Sequence, residues 1–393
     1  MRTLLIKGRS LYGGTRFFIE SAAEALGDLG HEVEVLDLGE VEDPASAIEA
    51  HAAGCRTDFV FSIGILGGFR SSDGRTISEL YGARHAVWYV DYPIGMGSRF
   101  AATPPSTTVL CIDPTHVEAI QAVYGDEAWP DLRFFPHPGV GDPAPDDADV
   151  DAFVAARPIQ LLWTGSYQKP ERSWGQLTPR TQKGVDAAVD LALGSEWIPP
   201  HEAMRRVLHE MGVDVNTPAG RSNLGLAAYV HDFVRKTRRT EFVRAVAKIG
   251  VPLHICGMGW EPHLYRYKNA IHEGAVDMSR MVELMRRSRV VLNTNVNFGA
   301  GSHERPFSAS LAGAATFTDH SRYYDEAFAP GEIAMFHWKD LAGGMADLKA
   351  LASDPARAFG MGRAAKARAV AQHSWIRRLP AILDAADAHR AAA

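Results

Sequence analysis

His303, Glu304 and Arg305 stand together in "GAGSHERPFSASLAGAATFTDH" (299–320), between the apolar run "RVVLNTNV" and a stretch with little side-chain bulk. Residues of these types at this spacing suit an anion. Glycines ahead of a helix leave backbone N–H groups at its positive end, and a guanidinium offers a planar fork matched to phosphate oxygens. The small residues Ser308, Ala309, Ser310, Ala312 and Gly313 let the helix pack close to a sheet. Phosphate binding is therefore expected here, although the same arrangement also occurs without a ligand.

Other residues invite chemistry more singly. Asp91 in "WYVDYP" ends an apolar strand closed by Pro93, where a carboxylate either takes a proton from a hydroxyl or caps a loop. Gly13 and Gly14 either let backbone approach a phosphate or sugar or serve the turn alone. Cys55, Cys111 and Cys256 are odd in number, far apart and without CxxC spacing, so neither a disulfide framework nor a zinc site is suggested. No metal is expected. The acidic "DADVD" has no strand to support it and reads as solvated.

The elements that must position these residues form two series. "TLLIKG", a glycine loop, the helical "RFFIESAAEALGDLG" and "HEVEVLDL" make a strand, loop, helix, strand unit, the building block of parallel sheets. Further strands are expected at 58–66, 85–92, 107–113 and 132–138. The Pro-, Gly- and Asp-rich segment 141–158 reads as a linker with a short acidic helix. A second α/β series follows, with strands at 159–167, 252–260, 269–276, 289–296, 314–319 and 332–338 and helices near 226–249 and 304–313. The pattern breaks between 168 and 224, which reads as an insertion. The expected fold class is thus α/β, with an N-terminal Rossmann-like domain (1–140), a linker (141–158), a C-terminal Rossmann-like domain (159–372) and a terminal helix (373–393) crossing back. Two such domains would bring the carboxyl ends of their strands to face each other across a cleft.

The composition is that of a globular chain: 393 residues, 46% hydrophobic and 22% charged. A net charge of −6 opposes global attraction to nucleic acid or anionic lipid. No run approaches the length of a membrane span and "MRTLLIKGRS" is too short in apolar residues for a signal peptide, so the cytoplasm is the default. The basic stretch "RKTRRTEFVRAVAK" (235–248) is either a solvated amphipathic face or a binding patch.

Six segments in order, "WTGSYQKPER", "LHICGMGWEP", "HEGAVDMSRMVELMRRSRVVLN", "HERPFSASLAG", "FTDHSRYYDEAFAPGEI" and "QHSWIRRLPAIL", resemble the CgeB-like glycosyltransferases, a branch with the two-Rossmann GT-B fold. "YGGTRFFIESAAEALGDLGHEVEVL" and "VWYVDYP" are similar to N-domain segments of such enzymes. The resemblance implies transfer of a sugar from a nucleotide-diphosphate sugar, a UDP-sugar foremost, to a glycan, protein or small molecule, with no cofactor and no metal. It places the donor mainly in the C-terminal half and the acceptor on the N-terminal side. It assigns Arg305 to the diphosphate, with His303, Glu304, Gly13, Gly14 and Ser166 around it, and Arg239 or Lys169 as a second positive charge. It sets Gly257, Gly259, Trp260 and the backbone of Gly274 to Val276 against the nucleoside, with a core aromatic as the other reading of Trp260. Asp91 would be the base. Many members carry Glu where Ser308 stands, to hold the ribose. Either Glu304 substitutes or the donor is unusual. Two other readings stay open, a DNA-base glycosyltransferase and a non-catalytic nucleotide-sugar-binding protein, as do an inverting or retaining course and a monomer or homodimer.

Overall fold

A computed structural model describes residues 1–296 and 298–383. Its chain divides into two units, Met1–His137 together with residues 374–383, and Pro138–His373. The two series of parallel strands expected from the sequence are both present.

In the first unit the strands are β1 (Arg2–Lys7), β2 (Glu32–Asp37), β3 (Phe59–Ile63), β4 (Arg84–Tyr89), β5 (Thr108–Cys111) and β6 (Leu132–Phe134). They form one parallel sheet in the order β2-β1-β3-β4-β5-β6. Strands covered on both faces read as continuous apolar runs, and "FVFSI" of β3 is buried throughout, whereas the edge strand "EVEVLD" of β2 keeps an alternating, partly exposed pattern. One side is filled by Leu4, Ile6, Leu38, Ile48, Val60, Ile77 and Tyr81. Trp88 anchors other packing, edge-on to Trp375 at 5.6 Å between ring centroids. Trp375 opens the short helix Trp375–Arg378, and Arg378 donates to the His137 carbonyl. Of the expected terminal helix, residues 384–393 lie outside the described residues.

The second unit holds β7 (Ile159–Thr164), β8 (Leu253–Cys256), β9 (Ala270–Gly274), β10 (Ser288–Leu292), β11 (Ala315–Asp319) and β12 (Ala334–Phe336). Their order is β12-β11-β10-β7-β8-β9, again all parallel. Three nearly parallel rings, Phe242, Phe317 and Phe336, stack in the core beside Trp163 and Trp260. Helices Pro179–Gly194, Pro200–Glu210 and Pro218–Leu224 occupy the expected insertion, each with proline in its first turn, and lead into the 22-residue helix Ala227–Lys248. Proline suits that position because its missing N–H would be unpaired there anyway.

The stretch 141–158 departs from the solvated linker expected of it. Asp149 caps the helix Val150–Ala156 by accepting from Ala152 N–H at 2.9 Å, and Phe153 joins the core of the second unit. Arg157 is buried, pairing with Asp147 at 3.2 Å and donating to the carbonyls of Arg286 and Ala312. One aromatic and one guanidinium thus fasten a segment whose composition alone reads as loose. Among the described residues no helix is long and apolar enough to cross a membrane.

Candidate functional site

Because every strand of the second sheet runs the same way, the loops after β7, β8, β9, β10 and β11 emerge along one edge, where open α/β sheets bind ligands. Glycine sets the first of these loops. Gly165 and Gly257 take φ of 144° and 142°, and a Cβ on Gly257 would sit 2.5 Å from the Gly165 carbonyl. That approach lets Gly165 N–H reach Cys256 O and Gly257 N–H reach Gly274 O, both at 2.7 Å. The Ser166 hydroxyl accepts from Met258 N–H at 3.1 Å. Three loops are locked into one surface, with Val276 half-buried just before the helix Met278–Arg286.

Trp260, expected beside a nucleoside or in the core, has its side chain in the core. It is 0% exposed, inside the core, and its indole donates to Gly165 O at 2.7 Å. The indole supports the loop from beneath because a large aromatic with one polar handle is most stable buried with that handle satisfied. Met258, its neighbour but one, is the exposed member at 51%; the sequence reading missed it, and only its place between two glycines marked it.

The loop after β10 is a polar lattice below the helix Glu304–Leu311. Asn293 donates to Thr318 Oγ1 at 2.9 Å and to Asn295 Oδ1 at 3.2 Å. Asn295 N–H donates to Asp319 at 2.6 Å, and its Oδ1 accepts from the Tyr324 hydroxyl at 2.7 Å and from His303 N–H at 3.3 Å. Asp319 also accepts from the Trp338 indole at 3.0 Å. Burial holds the Asp319 carboxyl above its ordinary value against these donors.

Arg305 rests on this lattice. Its Nη1 donates to Asn293 Oδ1 at 2.9 Å, and it is 8% exposed. Its Nε makes no hydrogen bond among the described residues, the nearest carboxylate oxygen being Glu304 Oε1 at 3.9 Å. Glu304 pairs instead with His303 Nδ1. Burial first, then the charges of Arg305 and, more weakly, Arg239 hold the His303 imidazole below its ordinary value, opposed by Glu304. The structure therefore brings His303, Glu304, Arg305 and Arg239 together, although Arg239 comes from the distant helix Ala227–Lys248. Lys169 lies exposed and pairs with Glu171 at 2.7 Å.

Ser308 is not placed to meet a ribose. It is 1% exposed, accepts from Val140 N–H at 3.1 Å and donates to Glu304 O at 3.0 Å. Gly139 lies so near that an added Cβ would be 3.0 Å from the Phe307 carbonyl. Residues 139 and 140 cover this side of the helix, where the serine hydroxyl is short enough to accept from a passing amide.

In the first unit Gly13, with φ 74°, precedes the helix Gly14–Asp28, and a Cβ at either glycine meets nothing within 4 Å. Packing alone does not demand glycine at 14. Asp91 is exposed in the turn after β4. The sequence reading missed a charged cluster beside the first loop: Lys7 pairs with Glu20 at 2.8 Å and Asp37 at 2.9 Å, and Arg16 grips Asp37 through both terminal nitrogens at 2.8 Å. The Arg16 guanidinium, with Lys7 behind it, holds the Asp37 carboxyl well below the carboxylate range. An apolar cavity of about 240 Å³ opens nearby among Ile6, Thr15, Ile19, Leu38, Ile63 and Leu66.

Residues 235–384 match the family model described as glycosyl transferase-like. No curated protein matches the sequence. Among solved structures, sucrose-phosphate synthase from Thermosynechococcus elongatus aligns over 100% of both chains at 13% identity and a TM-score of 0.59. An alpha-glucosyltransferase in complex with UDP and a mismatched 13-mer DNA aligns over 98% of this chain and 100% of its own at 11% identity and a TM-score of 0.56. HepE from Anabaena, in complex with UDP and glucose, aligns over 98% and 99% at 10% identity and a TM-score of 0.54. At such identities the likeness is one of fold. Residues 235–384 thus form a glycosyl transferase-like region, set in a two-sheet fold that solved glycosyltransferase structures share.

Proposed function

We propose that the protein moves a sugar from a nucleoside-diphosphate sugar, a UDP-sugar, to a hydroxyl of a glycan, protein or small molecule, as a member of the CgeB-like branch. The observation that carries this reading is the buried Arg305 guanidinium, fixed by Asn293 at the start of a helix and with its Nε unpartnered among the described residues. A diphosphate oxygen would complete that donor set. As the bond from the anomeric carbon to phosphate breaks, negative charge builds on the departing diphosphate. A guanidinium already desolvated and held in place stabilises it without reorganising, a contribution of roughly 3 kcal/mol in comparable sites. Arg239 supplies the second charge, and His303, close to Arg305 in the chain, contacts the sugar or a phosphate. The clustered cations fill the part a divalent ion plays elsewhere. Asp91 takes the proton of the acceptor hydroxyl. UDP is favoured because two proteins of the same fold are described in complex with it.

The DNA-base reading loses part of the support of the basic run, of which Arg244 and Lys248 stay exposed. Lys236 pairs with Asp232 at 2.6 Å, Arg235 donates to Gln168 at 2.8 Å, and Arg238 is buried against the carbonyls of Ala192, Ser195 and Glu196. These charges are spent inside the second unit.

The test is release of UDP from a panel of UDP-sugars, with and without acceptors, and with Mg²⁺ or Mn²⁺ added. Turnover that added metal does not raise supports the reading. Asp91→Asn is expected to keep nucleotide binding and lose transfer. A wild-type protein that binds UDP and never turns over any donor would make the chain a nucleotide-sugar-binding protein instead.

A further inference from the structure

Three side chains of the first unit converge outside all of these loops. Glu34 lies on the edge strand β2, and His51 and Cys55 lie four residues apart at the end of the helix Pro44–Gly54, a spacing that puts both on one face. A carboxylate oxygen, a ring nitrogen and the sulfur from these three all lie within 4.8 Å of one another. His51 Nε2 is 2.9 Å from Glu34 Oε1, and the Cys55 thiol donates to Glu34 Oε2 at 3.3 Å. On the other side of the ring, Nδ1 is 2.9 Å from the Tyr81 hydroxyl, which itself donates to Ile48 O at 3.4 Å. In a neutral ring one of these two nitrogens carries the hydrogen and the other presents a lone pair. A metal cation bound at Nε2 would take the lone pair there and leave the hydrogen on Nδ1, facing the Tyr81 hydroxyl.

We propose that Glu34, His51 and Cys55 bind a zinc(II) ion, with water as the fourth ligand on the exposed side of Glu34. Sulfur, imidazole nitrogen and carboxylate oxygen together suit zinc, at about 2.0 to 2.3 Å from the ion. Tetrahedral ligands at those lengths stand about 3.3 to 3.8 Å apart, near the separations that Glu34 keeps from His51 and Cys55. Tyr81 fixes the ring and its tautomer, as outer partners of metal-bound histidines do. The His51 hydrogen bond, then the Cys55 thiol, hold Glu34 below its ordinary value, so it is a carboxylate at neutral pH. Burial, then Glu34, push the Cys55 thiol up to about 11. The sulfur therefore keeps its proton until the cation arrives and releases it to solvent as the zinc–sulfur bond forms. The ion clips the edge strand to the helix that follows it, a stabilising role separate from sugar transfer. The cysteine spacing concealed this because one ligand comes from a strand.

The full chain, stripped of metal, is titrated with Zn²⁺ by calorimetry and with Co²⁺ by absorption. One Zn²⁺ per chain, a raised melting temperature and a near-ultraviolet thiolate-to-cobalt band are expected. Cys55→Ser abolishes the band, and His51→Ala abolishes saturable binding. Tyr81→Phe weakens zinc by about 10-fold. Glu34 is exposed, so Glu34→Gln keeps the fold and still loses binding, which separates a lost ligand from a lost structure. No thiolate band in the wild type, or a zinc-dependent shift that survives Cys55→Ser with His51→Ala, overturns the proposal.

Discussion

Arg305→Ala separates binding from folding if both are measured. In the free protein the substitution strips Asn293 Oδ1 of its donor at a wholly buried position. An orphaned buried acceptor costs about 1 to 3 kcal/mol, which in a domain of this size lowers the melting temperature on the order of 5 °C. Binding suffers separately. Each hydrogen bond from a charged donor to a phosphate contributes about 1.5 to 3 kcal/mol, so UDP affinity is expected to fall about 10- to 150-fold. Calorimetric titration with UDP at 15 °C, well below the transition of either protein, reads the second effect alone, and circular dichroism confirms that the variant is folded. Ser308→Ala is the control. It removes the acceptor of Val140 N–H, costs about 1 kcal/mol of stability and leaves UDP affinity unchanged. If folded Arg305→Ala binds UDP within twofold of wild type, the anion site is elsewhere. If Ser308→Ala weakens UDP tenfold, the sealed face of the helix is not sealed.

Adjacent glycines should respond with opposite signs. Gly14→Ala adds a methyl in open space at the first residue of a helix and is expected to stabilise by about 0.5 kcal/mol, whereas Gly13→Ala, at φ 74°, destabilises by about 1 to 2 kcal/mol; urea unfolding reads both, and equal signs would contradict the backbone described. Gly257→Ala drives a Cβ into the Gly165 carbonyl at 2.5 Å and should cost about 3 kcal/mol. A change below about 0.5 kcal/mol in the same assay would mean that the β7 and β8 loops are not interlocked. His85, bonded to Ser62 at 2.8 Å, is pushed by burial down to about 3. The folded state then refuses a proton that the unfolded chain accepts below about 6.5, so this contribution is whole above that pH and falls by up to about 1.4 kcal/mol per unit as pH drops toward 3. Chemical denaturation between pH 7 and pH 4.5 should show a shallower loss in His85→Gln, and identical slopes would exclude His85 as the source.

Some of this protein is local chemistry and some is not. Near-continuous apolar runs such as "DFVFSIGIL" and "RVVLNTNV" are strands because a strand covered on both faces needs apolar residues at every position, and that can be read along the chain. The parallel order of two sheets follows from helices between strands, and an apolar strand leading through glycines into a helix marked the Arg305 loop. Which way a side chain faces depends on segments far apart. Ser308 is sealed by Val140, 168 residues away; Trp260 is turned inward while Met258 is left outside. The charge of Arg239 acts on His303 from another helix. Glu34 meets His51 and Cys55 only because an edge strand and the following helix lie side by side. Periodicity is a property of neighbours in sequence, but burial and electrostatics belong to neighbours in space, and those are settled only when the chain has packed.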